Sequence, residues 1–263
     1  DVIVDAIFGV GLKREVAGRH REVIERLNQM EALKVAVDVP SGVDASAGQI
    51  LGIAFEADIT VTFGLPKVGL LLYPGADVSG EVIVKEIGFP NKAVEEIAPQ
   101  MVSFTTDDLE LLPERKAWTN KGSYGKVLLI AGSKNMAGAA LLSGTAAYKS
   151  GSGLVRIFSC EENRVILQEK LPEAILTTYD SEEKAWELLP ESLSWASVIG
   201  IGPGIGQSAF ASKLVKQVLT LGKAPLVIDA DGLNNLAALL QEDTELRQLF
   251  HEYEGGMILT PHL

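Results

Sequence analysis

The stretch Val127–Leu142, VLLIAGSKNMAGAALL, decides the fold class. An apolar run breaks at Gly132-Ser133, passes through Lys134-Asn135-Met136 and enters a helix at Gly138-Ala139-Ala140. A strand, a glycine loop and a helix N-terminus in this order form a common anion-binding arrangement, because free N–H groups and the helix dipole converge there. The loop matches neither G-x-G-x-x-G nor G-x-x-x-x-G-K-[ST], so the group that this helix end holds stays open.

Strands and helices alternate along the whole chain, which predicts parallel α/β sheets. Runs such as SVIGIG and PLVIDA are apolar throughout, as is typical of strands covered on both faces. In the first half, Val23, Ile24, Leu27 and Met30 share one predicted helical face. Further strands are predicted in the apolar run at residues 2–8, in LKVAVDVP up to Asp38, and in DITVTFG and GEVIVKEIGFP. In the second half we expect strands at 127–131, 153–159, 196–201, 225–230 and 257–260, with helices at 138–150, about 162–169, 207–221 and 233–240.

Composition excludes several classes of function. The 263 residues are 47% hydrophobic and carry a net charge of −12, which argues against nucleic acid or an anionic membrane as a partner. No apolar run approaches the roughly 18 residues of a transmembrane helix. The single cysteine, Cys160, excludes an internal disulfide, fits a reducing compartment such as the cytoplasm, and is expected to be a buried, inert thiol.

A change of composition predicts two domains. From about Asn91 to Lys121 the sequence is polar and carries prolines, with no sustained hydrophobic period. We therefore expect one α/β domain over residues 1–98 and a second over residues 99–263.

Carboxylates follow two strands of the first half. In open parallel sheets, ligands bind beyond the carboxyl ends of the strands. Asp5 and Asp38 lie at such ends, where a buried carboxylate is costly unless it is paired, hydrogen-bonded or bound to a cation. With Ser41 as a further oxygen donor, they indicate a hard-cation site. The alternative is that each carboxylate caps a loop.

Each remaining loop motif has a functional and a structural interpretation. GVGLKRE brings Lys13 and Arg14 next to glycines that let the backbone approach a phosphate, but it equally fits a solvated turn. IGPGIG before a helix fits a ligand loop or a helix-packing turn. Asp231 of DADGLN fits a helix N-cap, and a lone histidine such as His262 is usually structural.

Several of these loops, in fixed order, resemble two known families. DAIFGVGLKRE…VAVDVPSGVDASAGQILGIAFEADITVTFGLPKVGL resembles the second half of the NAD(P)H-hydrate epimerase (YjeF N-terminal) family. NKGSYGKVLLIAGSKNMAGAALLSGTAAYKSGSGLV…IGIGPGIG…VIDADGLN…ILTPH resembles the opening of the ADP/ATP-dependent NAD(P)H-hydrate dehydratase family. Joined in this order, they resemble the bifunctional NAD(P)H-hydrate repair enzymes. The resemblance implies an α/β fold, with the C-terminal part of a Rossmann-like epimerase domain followed by the N-terminal part of a ribokinase-like domain.

The epimerase resemblance implies a potassium ion bound by Asp5 and Ser41. It also implies that the hydrated dinucleotide contacts Asp38 and the turn made of Gly9, Val10, Gly11, Leu12, Lys13, Arg14 and Glu15. We expect Asp38 to act as the catalytic acid or base at C6 of the hydrated nicotinamide ring, since a strand-end carboxylate suits that role.

The dehydratase resemblance implies substrate contacts from Ala139 or Ala140, from Gly204 or Gly206, and from His262. The helix end at 138–140 would then face NAD(P)HX, the hydrated form of NAD(P)H. The family couples dehydration to hydrolysis of ADP or ATP, with Mg²⁺, by phosphorylating the C6 hydroxyl so that phosphate leaves.

Together these resemblances imply an isomerase and lyase that repairs hydrated NADH and NADPH. It would interconvert R- and S-NAD(P)HX, dehydrate the S form, and act on a small molecule as a homo-oligomer. The alternatives are another ribokinase-like vitamin or sugar kinase, and a non-catalytic dinucleotide-binding module.

Two family segments do not occur in the sequence. The epimerase family has an upstream Asn-Asn-Gly-Gly-Asp loop, and the ribokinase-like half continues to a Gly-x-Gly-Asp segment that carries the catalytic Asp. We therefore expect the chain to be part of a longer enzyme and to lack nucleotide-dependent dehydration by itself.

Overall fold

The computed structural model describes residues 1–97, 101–104, 106–112 and 114–261. The chain forms two compact units, Asp1–Pro113 and Glu114–Leu263. The division therefore lies after Pro113, later than the position near residue 98 that composition indicated. The change of composition follows the end of the last strand of the first unit, at Lys85, whereas the short helices that come next still belong to that unit.

The first unit has a sheet of four parallel strands in the order β1-β2-β3-β4. Its elements are β1 (Val2–Asp5), α1 (Gly18–Asn28), β2 (Leu33–Val37), β3 (Ile59–Phe63), α2 (Gly75–Ser79), β4 (Glu81–Lys85) and α3 (Asn91–Ile97). Short 3₁₀ helices span Val68–Leu70 and Thr106–Leu111. The predicted strands are thus confirmed, and all of them end at one edge of the sheet.

Helix α1 packs on this sheet through a narrower face than the sequence predicted. Ile24 is fully buried, but Val23 is 41% exposed and Met30 is 47% exposed. Helix α1 ends at Asn28, so Met30 lies beyond it and cannot continue its apolar face.

The second unit has six parallel strands. Its elements are β5 (Lys126–Ile130), α4 (Ala137–Lys149), β6 (Leu154–Cys160), α5 (Arg164–Lys170), β7 (Ile175–Tyr179), α6 (Glu182–Trp195), β8 (Val198–Ile201), α7 (Ala209–Leu221), β9 (Leu226–Asp229), α8 (Asp231–Glu242), α9 (Thr244–His251) and β10 (Met257–Thr260). The sequence analysis missed β7, α6 and α9. Strand β7 lies at the edge of the sheet and two of the five residues of its sequence, ILTTY, are threonines, so the hydrophobic pattern is weak.

The strand order β10-β9-β8-β5-β6-β7 has a reversal at β5. From β5 the chain proceeds through β6 and β7 on one side, and β8, β9 and β10 then follow on the other side. The loops after β5 and β8 leave adjacent strands at this switch point, which is where open α/β sheets bind ligands.

Both faces of this sheet are covered. Along β5, Leu128 and Ile130 belong to one buried cluster with residues of α6 and α7, whereas Leu129 belongs to another with residues of α4 and α5. Cys160, at the end of β6, is buried as predicted, and burial raises the pKa of its thiol. No helix among the described residues is long and apolar enough to cross a membrane.

Replacing a buried ring of the second unit should test this core. Phe158 is 1% exposed and its ring centroid lies 5.1 Å from that of Tyr179. Phe158→Ala should lower the free energy of unfolding by about 3–5 kcal/mol, because it leaves a cavity. Leu142→Ala, at a position that is 73% exposed, should change it by no more than about 0.5 kcal/mol.

The measurement is urea unfolding followed by tryptophan fluorescence, since the three tryptophans of the chain all belong to the second unit. Equal losses of stability in the two variants would contradict the assigned core.

Candidate functional site

In the first unit, Asp5 and Ser41 tie together the ends of β1 and β2. The Ser41 hydroxyl donates to Asp5 Oδ1 and the Ser41 N–H donates to Oδ2, each at 2.7 Å. The Ile7 N–H also donates to Oδ1, at 3.2 Å, and Asp5 is only 1% exposed. The structure thus brings the two residues together as the sequence predicted, and the hydrogen bonds are those of the loop-capping alternative.

The Ser41 hydroxyl also fixes the start of the glycine-rich turn, because it accepts the Phe8 N–H at 2.8 Å. A side chain added at Gly9 or Gly11 would meet nothing within 4 Å of its Cβ among the described residues, and neither glycine has a positive φ. The described part of the fold therefore does not require glycine at these two positions, and both the ligand interpretation and the solvated turn remain open.

The other turn residues divide into two groups. The side chains of Val10, Lys13, Arg14 and Glu15 are exposed and accessible to a ligand. Leu12 instead packs on the buried cluster that contains Val16 and Phe55. Its side chain therefore packs against the core, and the substrate contact predicted for Leu12 stays a prediction.

Asp38 follows β2 in a left-handed conformation, with φ of 67°. Its carboxylate accepts hydrogen bonds from Thr62 and from the Phe63 N–H at the end of β3, and it forms an ion pair with Lys67 at 2.5 Å. Partial burial raises the pKa of the Asp38 carboxyl, but these hydrogen bonds and the Lys67 charge outweigh burial, so the pKa lies below its ordinary value.

Sequence reasoning missed Lys67, because 29 positions separate it from Asp38. The only available signal was its place in the GLPK loop directly after β3. A cavity of about 340 Å³ opens at the same edge, and it is lined by Gly64, Leu65, Glu86, Ile87, Gly88, Phe89, Val94 and Glu95.

In the second unit, the loops after β5 and β8 bind each other at the switch point. The Gly132 N–H donates to the Pro203 carbonyl at 2.9 Å, and the Ser133 N–H donates to the Gly204 carbonyl at 2.6 Å. A Cβ at Gly204 would lie 2.7 Å from the Cβ of Ala139 in α4. The glycine loop, the GPGIG loop and the start of α4 thus lie against one another, and the substrate contacts predicted for them stay predictions.

The sequence left open whether Ala139 or Ala140 contacts the substrate, and the two side chains differ in burial at the start of α4. Helix α4 begins at Ala137. Ala140 is fully buried in the core, so its side chain cannot reach a ligand. Ala139 is partly exposed and faces Gly204, and it remains as the candidate contact.

The GPGIG loop is also held by two residues of α8. The Asp231 carboxylate accepts the Gly206 N–H at 2.9 Å, and the Asn235 amide donates to the Gly206 carbonyl at 2.8 Å. Asp231 is the first residue of α8 and the N-cap is Ala230. The N-cap interpretation of Asp231 was therefore wrong, since its carboxylate binds the neighbouring loop.

Two buried polar residues hold the loop after β5 by hydrogen bonds to its carbonyl groups, and sequence reasoning missed both. Ser159 of β6 donates to the Gly132 carbonyl at 2.9 Å, and Asn163 donates to the Ser133 carbonyl at 3.1 Å. Their side chains also bind each other at 3.0 Å. Ser159 and Asn163 therefore position the loop after β5 through these hydrogen bonds.

His262 lies outside the described residues, so its predicted place beside these loops stays a prediction. Among the residues that the structure describes, no group of three or more His, Cys, Asp or Glu side chains is placed to hold a metal ion.

Comparison with known proteins relates both units to one pair of families. Residues 127–263 match the family model of NAD(P)H-hydrate dehydratase, and residues 1–69 match that of the YjeF-related protein N-terminus. The chain is 36% identical to the bifunctional NAD(P)H-hydrate repair enzyme of Thermofilum pendens and 38% identical to that of Moorella thermoacetica. Each alignment covers 100% of this chain and 49% of the relative.

Among solved structures, a ribokinase-like superfamily protein from Enterococcus faecalis is 30% identical, with a TM-score of 0.52. The match covers 60% of this chain and 53% of that chain. The chain thus spans about half the length of the curated relatives that it matches.

Two glycine-to-alanine variants should show that the loop after β8 is closely packed, whereas the first turn of α4 has free space at Gly138. Gly204→Ala should lower the free energy of unfolding by about 1–3 kcal/mol, because its φ is +66° and the new Cβ meets Ala139. A Cβ added at Gly138 would meet nothing within 4 Å, so Gly138→Ala should leave the free energy of unfolding unchanged or raise it by up to about 1 kcal/mol. Chemical denaturation measures both, and a stable Gly204→Ala variant would contradict the close packing of these loops.

Proposed function

Because the chain belongs to the NAD(P)H-hydrate dehydratase family, we propose that its second unit binds hydrated NAD(P)H at the switch point of the sheet and serves in its return to NAD(P)H. The observation that carries this proposal is the meeting of the loop after β5, the GPGIG loop and the start of α4. Gly204, Gly206 and Ala139 bring little side-chain bulk to this meeting point, which suits close approach of a dinucleotide.

Ala139, Gly204 and Gly206 are the proposed substrate contacts among the described residues, with His262 as a further one. Dehydration removes the C6 hydroxyl and a C5 proton of S-NAD(P)HX, and so restores the ring double bond. ADP or ATP with Mg²⁺ is the proposed co-substrate, which turns the hydroxyl into a phosphate leaving group.

For the first unit we propose epimerisation of R- and S-NAD(P)HX, supported by the match of residues 1–69 and by the exposed glycine turn. Residues 9–15, apart from the Leu12 side chain, would contact the dinucleotide. Asp38 would act on C6, because its carboxylate stands at a strand end, is ionised, and remains partly exposed.

Potassium is the proposed cofactor of the first unit. The Asp5 carboxylate and the Ser41 hydroxyl are in direct contact, and the Phe8 carbonyl oxygen lies 3.4 Å from Ser41 Oγ. Carboxylate, hydroxyl and carbonyl oxygens are hard donors, and they fit a cation of this class.

These proposals concern the activity of the whole protein, since the curated relatives are about twice as long as the chain. The two family domains are proposed to span residues 1–98 and 99–263, a division made on the sequence that falls before the end of the first compact unit at Pro113. A homo-oligomeric state, a cytoplasmic location and the absence of nucleic-acid and membrane partners stay predictions of the sequence.

The direct test supplies the full-length protein with a mixture of R- and S-NADHX and with ADP or ATP, and follows the return of dihydronicotinamide absorbance. Complete conversion of the mixture requires both activities. A stable phosphorylated vitamin or sugar product would instead favour the kinase alternative. Tight binding of NADHX without turnover would favour the binding module.

Asp38→Asn should lower the rate of epimerisation by about 100-fold or more, because it removes the charge that acts on C6. Asparagine tolerates the left-handed backbone, so the fold should persist. Interconversion of the epimers is measured by chromatography without nucleotide. The control is Glu31→Gln, which removes an exposed carboxylate from the turn after α1, and an equal loss in that variant would contradict a specific role for Asp38.

Potassium should raise the thermal unfolding midpoint of the first unit relative to tetramethylammonium at equal ionic strength, because the cation binds only the folded chain. Asp5→Asn should abolish this difference. Asp58→Asn removes an exposed carboxylate that accepts the Lys34 N–H, and this variant should keep the potassium effect. A potassium effect that survives in Asp5→Asn would exclude this site.

A further inference from the structure

The Asp38 carboxylate is held asymmetrically. Its Oδ1 accepts hydrogen bonds from Thr62 Oγ1 at 3.0 Å, the Phe63 N–H at 3.1 Å and Lys67 Nζ at 2.5 Å. No donor to Oδ2 is found in the described part of the chain. Three donors saturate one oxygen of a carboxylate, so the other oxygen stays available to a ligand.

The Lys67 ammonium is fully engaged by the protein. Besides Asp38, it donates to Thr62 Oγ1 at 3.0 Å and to the Phe63 carbonyl at 2.8 Å. An ammonium group has three N–H donors, so none is left for a ligand phosphate. The side chains of Asp38 and Lys67 are both 21% exposed, which limits screening of their charges by solvent.

The backbone conformation at Asp38 would suit glycine better, which indicates that aspartate is present here for its carboxylate. Its φ of 67° lies in the left-handed region, which glycine adopts at lower cost than any other residue. An aspartate there is held against that preference by its hydrogen bonds at the end of β3.

We propose that Lys67 is a positioning residue for epimerisation. It fixes Oδ1 of Asp38 and keeps the carboxylate ionised, so that Oδ2 accepts a hydrogen bond from the C6 hydroxyl of hydrated NAD(P)H. The choice of ligand rests on the proposed function, whereas the effect of Lys67 on Asp38 is a property of the chain alone.

The charge state of Asp38 should depend on Lys67. Burial raises the pKa of Asp38, and the Lys67 ammonium, which is the charged group facing it among the described residues, is the main group that lowers it. Because the folded pKa is depressed, the stabilisation from this pair is present above the ordinary Asp pKa. It is lost as the pH falls through the lower folded value.

The experiment measures the Asp38 pKa directly, by ¹³C NMR titration of its carboxyl carbon in the chain without substrate. The signal is assigned by its loss in Asp38→Asn. Lys67→Met should raise the pKa by roughly one unit or more, since an opposite charge at this distance lowers an Asp pKa by about 1–3 units. Lys67→Arg should restore part of the shift, and Lys34→Met, also in the first unit, should have no effect.

Circular dichroism checks that each variant is folded. An unchanged Asp38 pKa in folded Lys67→Met would overturn the inference.

The pH profile of epimerisation provides the second readout. Its acid limb should move to higher pH in Lys67→Met, in step with the Asp38 pKa, and should not move in Lys34→Met. If the pKa shifts but the acid limb does not, Lys67 does not position a group that serves the reaction, and the inference fails. If the wild-type protein does not epimerise NADHX at all, the proposed function fails, while a shifted pKa still supports the action of Lys67 on Asp38.

Discussion

In both units, all strands of the parallel sheet have their carboxyl ends on the same side, and the chain leaves the core there. The backbone N–H and C=O groups of the loops that follow need hydrogen-bond partners. The first unit meets this need with a buried carboxylate. Asp5 accepts both the N–H and the hydroxyl of Ser41, and Ser41 in turn accepts the Phe8 N–H. The exposed glycine turn therefore starts from a fixed point, although its own residues 9 and 11 face open space.

The second unit satisfies the same constraint by binding loop to loop. The loop after β5 donates its N–H groups to the carbonyls of the GPGIG loop, and Asp231 and Asn235 hold the far end of that loop. The packing is close, because a Cβ at Gly202 would lie 1.8 Å from the Asp229 carbonyl. Ala230, next to this contact, has a φ of 48°, and such strain persists only where neighbouring contacts impose it.

The carboxylates of Asp5 and Asp38, which both stand at strand ends of the first unit, differ in how many of their oxygens accept hydrogen bonds from the protein. Both oxygens of Asp5 accept hydrogen bonds in a buried site, which suits it to holding the loops after β1 and β2. Asp38 has one saturated oxygen, a paired lysine and partial exposure, which suits it to contact with a ligand. The same residue type thus stands in two different environments, which its neighbours determine.

The sequence by itself determined the parallel α/β class, most of the strands, and the loops that carry glycine and carboxylate, because these follow from local pattern and from the exit of each strand at one edge. Edge strand β7 was missed because two of its five residues are threonines, which weakens its hydrophobic pattern. Only the tertiary structure decided that Leu12 and Ala140 face the core, that Asp231 binds Gly206, and that Lys67 pairs with Asp38. It also placed β5 beside β8, and so brought the loops that follow them together. These contacts join residues far apart in the chain, and hydrophobic periodicity carries no information on which strands become neighbours.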